Sequence, residues 1–87
     1  MTRTAINENV TITALAFRNN RDYATLPKRM EYRGSSYTFL NGLQYLIKKG
    51  DQILRIFDMS DGSDTTYRLQ SDADQINWKL VAITKNA

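Results

Sequence analysis

Residues 33–46 read RGSSYTFLNGLQYL. Two turn-forming clusters, Gly34-Ser35-Ser36 and Asn41-Gly42, flank a short aromatic and apolar run. Gly34-Ser35 suits a two-residue type II′ reversal, which takes Gly at its first central position. That places Tyr32 opposite Tyr37 and Met30 opposite Phe39. At Leu40-Asn41-Gly42, a three-residue loop with a left-handed Gly42 bulge pairs Phe39 with Leu43 and Tyr37 with Tyr45. A two-residue Asn-Gly turn would instead move Tyr45 to the other face, because one residue of slip inverts every side chain. The hydrophobic pattern favours the bulge.

Working outward, Lys48-Lys49-Gly50-Asp51 reads as a four-residue loop setting Tyr45 opposite Leu54. Asp61-Gly62 reads as a two-residue turn setting Ile56 opposite Tyr67 and Leu54 opposite Leu69. Asp72-Ala73-Asp74-Gln75 closes the last hairpin, with Leu69 opposite Trp78 and Tyr67 opposite Leu80. The resulting inner face carries Met30, Tyr32, Tyr37, Phe39, Leu43, Tyr45, Ile47, Leu54, Ile56, Tyr67, Leu69, Ile76, Trp78, Leu80 and Ala82. The expected fold is all-β: one antiparallel meander over residues 28–84, of about six strands with short connections. Strand twist favours its curling into a small barrel or half-barrel. One local rival is a short helix over NGLQYLIKKG, with Asn41 as N-cap and Gly50 as C-cap. Eight residues make a marginal helix without strong packing, and strands are the preferred reading.

Residues 1–27 contribute a strand and a loop. VTITALAF, residues 10–17, is rich in β-branched residues, and Asn19-Asn20-Arg21-Asp22 reads as a turn. Pro27 marks the start of the meander, where a strand tolerates it. The N-terminal strand is expected at an edge of the meander or over a mouth of the barrel.

With 87 residues the chain suits one domain. It has no cysteine, so neither a disulfide nor a thiolate metal site supplements the core. It has no histidine, which removes the usual general base and the usual imidazole ligand. The segment DMSDGSD brings together Asp58, Asp61 and Asp64, but its spacing is not that of a calcium loop, and Asp and Gly are what a tight turn requires. The expectation is a non-catalytic protein with no cofactor and no metal. MTRTAINENV contains no apolar run of signal-peptide length and no segment approaches transmembrane length, so a soluble cytoplasmic protein is expected, with no membrane partner.

Charge is unevenly spread. Residues 1–50 carry eight Lys/Arg against three Asp/Glu, and residues 51–87 carry four against six. The same registers that fix the inner face align Arg55, Arg68 and Lys79 on adjacent strands of the outer one. Like charges directly opposite one another repel, so solvent, an acid or a bound anion must offset them. This row is the candidate anion or nucleic-acid site; the bland alternative is solvated charge. The outer face also collects Leu46, Ile53, Phe57, Val81 and Ile83. Either the N-terminal segment covers this cluster with Val10, Ile12, Leu15 or Phe17, or another protein does. Leu46, Ile53, Phe57 and Val81 are therefore the candidate contacts of a protein-interaction or self-association module, with the basic row as the alternative function.

Overall fold

The structure, a computed structural model, describes residues 2–17 and 25–86. The turn expected at Asn19–Asp22 and the side chain of Phe17 lie outside the described residues. Seven strands form: β1 Thr2–Phe17, β2 Thr25–Tyr32, β3 Ser35–Thr38, β4 Asn41–Lys49, β5 Gln52–Ser60, β6 Thr65–Ser71 and β7 Trp78–Lys85. They make one antiparallel sheet in the order β3-β2-β1-β7-β6-β5-β4. The segment that offered a helical alternative is strand β4. Among the described residues no helix is long and apolar enough to cross a membrane.

The order corrects the expected barrel in two ways. Every pair of consecutive strands is hydrogen-bonded except β3 and β4, which stand at the two edges of the sheet. The sheet is therefore open, and the place where it opens is the hairpin expected at Leu40-Asn41-Gly42. The N-terminal strand, in turn, lies at the centre of the sheet rather than at an edge. Thr2–Val10 pairs with β7 and Thr11–Phe17 pairs with β2, so β1 ties the first half of the chain to the last strand.

β1 can serve both halves because it bends. From Ile6 to Ala16 its residues alternate between half-buried and exposed, the period-two pattern of a strand with one covered face. Its register shifts between Ala5 and Glu8, where Asn7 takes a positive φ of 56°, and again between Ile12 and Leu15. Bulges of this kind bend a strand and increase its twist, and Asn is among the residues that tolerate the left-handed conformation. The bend brings β2 and β3 over β5–β7. Tyr37 on β3 lies 5.7 Å, ring centre to ring centre, from Tyr67 on β6, and Phe57 lies 5.0 Å from Trp78. The core between them comprises Leu26, Met30, Phe39, Phe57, Met59, Tyr67, Leu69, Trp78 and Leu80.

Three of the expected reversals are one or two residues out of place, with parity preserved. The β2–β3 turn is Arg33-Gly34 rather than Gly34-Ser35; positive φ at both residues, 51° and 79°, is the type I′ pattern, and it pairs Met30 with Tyr37. The β4–β5 turn is the two-residue Gly50-Asp51, so Tyr45 faces Ile56 rather than Leu54. The last connection is longer than expected, pairing Ser71 with Trp78 and Leu69 with Leu80. Asp72 organises it by accepting hydrogen bonds from the Ile76 amide (2.9 Å) and Asn77 Nδ2 (2.8 Å), and Ile76 itself points to solvent rather than into the core.

Two other reversals change parity. Gly42 does not make a left-handed turn; it allows close approach. A Cβ there would sit 2.7 Å from the Asp58 carbonyl oxygen and would collide with the Met59 sulfur. At the other end of β5, Asp61-Gly62 opens into a four-residue connection, 61–64. Asp61 Oδ1 accepts the Ser63 amide (2.9 Å), an Asx-type closure that competes with the tight hairpin. Phe57 is thereby set opposite Leu69, and Met59 opposite Tyr67.

Asp61 also accepts a hydrogen bond from the Tyr67 hydroxyl at 3.1 Å. Burial, and then the neighbouring carboxylate, disfavour the phenolate and push the Tyr67 pKa up to about 12. A phenol raised above its unfolded value, roughly 10, stabilises the fold fully below that pH and loses the contribution as pH climbs through the folded value. Thermal melts of wild type and Tyr67→Phe should show a steeper decline for wild type between pH 10 and pH 12. Parallel declines would show that Tyr67 ionises as freely folded as unfolded.

Candidate interaction surface

β4 is a terminal strand: β5 pairs with one of its edges, and among the described residues no strand pairs with the other. Its residues are apolar on both faces. Leu43, Tyr45 and Ile47 share one side with Leu54 and Ile56 of β5, while Leu46 shares the opposite side with Ile53. The hairpin also projects. β6 pairs with β5 only from Arg55 onward, so Gln52–Leu54 and the facing end of β4 extend past the sheet. Among the described residues, Leu46 and Ile53 are exposed on one face of this projection and Ile47 on the other.

The exposure is concentrated here. Eight large apolar side chains are exposed among the described residues, and five of them, Leu43, Tyr45, Leu46, Ile47 and Ile53, belong to this hairpin. Leu46 is the most open of the five at 63%. Natural sheets usually blunt a free edge with charge, proline, a bulge or brevity. The other edge follows that rule, since β3 has four residues, Ser-Ser-Tyr-Thr. β4 has nine and carries no charge before Lys48. On its Tyr45 side the hairpin borders a shallow groove of about 530 Å³, lined by Tyr45, Ile47, Ile56, Val81, Arg3 and Arg68 among others.

The four residues expected to make protein contacts are thus divided. Leu46 and Ile53 are exposed on one side of the hairpin. Val81 is half-buried and borders the groove on the other side. Phe57 is not a surface residue: it is fully buried against Trp78 because the long 61–64 connection reverses its face. The N-terminal strand does not cover Leu46 or Ile53, since Val10 and Ile12 pack on the core instead.

The basic row does not form. Arg55 alternates with Phe57 on the core side of β5, and its Nε donates to the Ala73 carbonyl at 3.0 Å. Arg68 lies on the opposite side, where Nε and a terminal nitrogen grip both oxygens of Asp58 at 2.7 and 2.8 Å. Asp58 raises the Arg68 pKa further, chiefly through that hydrogen bonding, so the guanidinium is charged and engaged. Lys79 faces the same side as Arg68 but pairs with Gln70. Of the DMSDGSD carboxylates, Asp58 holds Arg68 and Asp61 closes its loop through Ser63.

Sequence reasoning placed Leu43, Tyr45 and Ile47 inside and so missed half of this surface. The available signal was LQYLI itself, apolar at both parities, which a strand with one wet face does not show. Fold and surface together define a class: an open seven-stranded antiparallel sheet with one long, bare, apolar edge strand. No family model, curated protein or solved structure matches the chain.

Proposed function

We propose that this chain is a non-catalytic protein-interaction module whose docking element is the β4–β5 hairpin. One observation carries the reading: a nine-residue edge strand is left bare in the same place where the exposed apolar side chains gather. A free edge offers backbone donors and acceptors to an added strand, and flanking apolar side chains supply the contact area. Together these describe a partner that adds a strand to the sheet rather than a ligand that enters a cavity. Support for a non-catalytic role comes from the lack of histidine and from the engagement of Asp58 and Asp61 in structural contacts.

A photo-crosslinking residue at Leu46, compared with one at Arg33 on the β2–β3 turn, tests the proposal in a lysate of the source cells. The hairpin position should give discrete protein adducts and the turn position none. Failure of the Leu46 position to give any adduct would overturn the module reading.

A further inference from the structure

We infer that the occupant of the bare edge is a second copy of this chain, joined by antiparallel pairing of β4 with β4 about a two-fold axis passing between the two Tyr45 residues. The inference rests on the interaction reading above and adds the partner and the register.

A two-fold axis that joins two edge strands into one antiparallel sheet stands perpendicular to the sheet. It therefore keeps each residue's parity, and odd-numbered side chains of both copies emerge on the same face. Only a residue, not a gap between residues, can lie on the axis. β4 runs from Asn41 to Lys49, and its middle residue is Tyr45. With the axis there, all nine residues are paired. Tyr45 faces its counterpart, Leu43 faces Ile47 of the second copy, and Gln44 faces Leu46.

On the odd-numbered face from Leu43 to Ile47, the apolar pattern of the strand is symmetric about the same point. Leu43, Tyr45 and Ile47 from each copy form one continuous row; on each outer side Ile56 flanks Tyr45, Leu54 flanks Ile47, and Asp58, held by Arg68, flanks Leu43. Cross-strand pairs of aromatic and branched side chains of this kind are the stabilising unit of a sheet. Charge agrees with the same register. Lys48 meets Gly42 and Lys49 meets Asn41, so no two lysines face one another. Moving the axis to Leu46 leaves seven paired residues and sets Lys49 against Leu43. Moving it to Gln44 also leaves seven and strands both lysines beyond the pairing.

The remaining free edge argues for closure rather than a chain of copies. Pairing β4 to β3 head to tail would match nine residues against four, and an apolar row against Ser35 and Ser36. Isologous β4–β4 pairing consumes the reactive edge of each copy and leaves only the short polar β3 exposed, so association stops at two.

The chain has no cysteine, so a single introduced thiol reports position without interference. Opposed residues on antiparallel strands bring their Cβ atoms within disulfide reach. Under mild oxidation Tyr45→Cys should form a covalent homodimer about tenfold faster than Gln52→Cys, because pairing gives its thiols a high effective concentration. Leu43→Cys mixed with Ile47→Cys should give the mixed dimer, while either alone should lag by a similar factor. Circular dichroism melts establish that each variant is folded, and sedimentation of wild type across a concentration range should show monomer and dimer only. Fastest crosslinking of Leu43→Cys with itself would overturn the register. A wild-type chain that sediments as a monomer throughout would overturn the second copy as occupant. If adducts to another protein persist at Leu46 in that case, the module reading stands without the dimer; if Leu46 gives no adducts, both fail.

Discussion

Phe57→Ala is expected to lower the unfolding free energy by about 3–5 kcal/mol, the range for deleting a buried aromatic side chain. The ring is wholly enclosed, set between Gln44 of β4 and Leu69 of β6 and stacked at a tilt on Trp78. Removing it strips contacts from the middle of the core and leaves a cavity walled by Leu69, Trp78 and neighbours that belong to three different strands. These strands are fixed by their own ladders, so the site has little freedom to collapse. A chain of this size has a total stability of about 4–13 kcal/mol at the usual 0.05–0.15 kcal/mol per residue, so the loss is a large share of the whole. Urea titration should show the midpoint falling with the slope unchanged. Leu43→Ala is the matched control: Leu43 is exposed, and its truncation should move stability by no more than about 0.5 kcal/mol in the monomer. The reverse order, a costly Leu43 and a harmless Phe57, would restore the registers expected from local turn chemistry and remove the basis for the edge surface.

That contrast marks where the sequence could be read and where it could not. Met30, Phe39, Tyr67, Leu69, Trp78 and Leu80 were assigned to the interior from alternation and turn residues, and all six are buried there. β4 and β5 were inverted. The inversion entered at Gly42 and left at Asp61-Gly62, and the two odd errors cancelled, so β6 and β7 recovered the correct face. Both have the same physical origin. A glycine can serve a turn or a close approach, and an Asp-Gly pair can close a hairpin through its backbone or an Asx turn through its side chain. Local sequence does not choose between them; here the packing of Met59 against Gly42 and the hydrogen bonds of Asp61 do. The pairing of β1 with β7 was equally invisible, because alternation shows that a strand has a covered face without naming its neighbours. The hairpin surface was half legible for this reason. Leu46 and Ile53 are apolar at positions that alternation turns outward, whereas Tyr45 and Ile47 have a core pattern and are exposed because β3 and β4 lie at opposite edges of the sheet.

Phe39→Ala is expected to cost a similar 3–5 kcal/mol, but with a different distribution through the molecule. Phe39 and Leu40 are the residues that cross the opening of the sheet. The Phe39 amide donates to the Lys28 carbonyl of β2 at 2.8 Å, and the next amide, Leu40, donates to the Ser60 carbonyl of β5 at 2.8 Å. Lys28 Nζ returns a hydrogen bond to the Phe39 carbonyl at 2.9 Å. Successive residues thus fasten to strands on opposite sides of the gap, and the buried Phe39 ring anchors the crossing against Tyr67 at 5.4 Å. β3 has no other strand than β2, and β2 has no other strand than β1 beyond it, so the β2–β3 unit is held to the far half of the sheet by the core and by this crossing. Without the ring, β2 and β3 should open as a local unit at lower free energy than β6 and β7. Amide exchange distinguishes this from a general loss. In Phe39→Ala, protection should fall first at Met30, Tyr37 and their neighbours while β6 and β7 retain most of theirs; in Phe57→Ala it should fall across the sheet. Uniform loss in both variants would mean that the opening between β3 and β4 is no weaker than the ladders around it. The sheet would then behave as a single cooperative unit despite its two free edges.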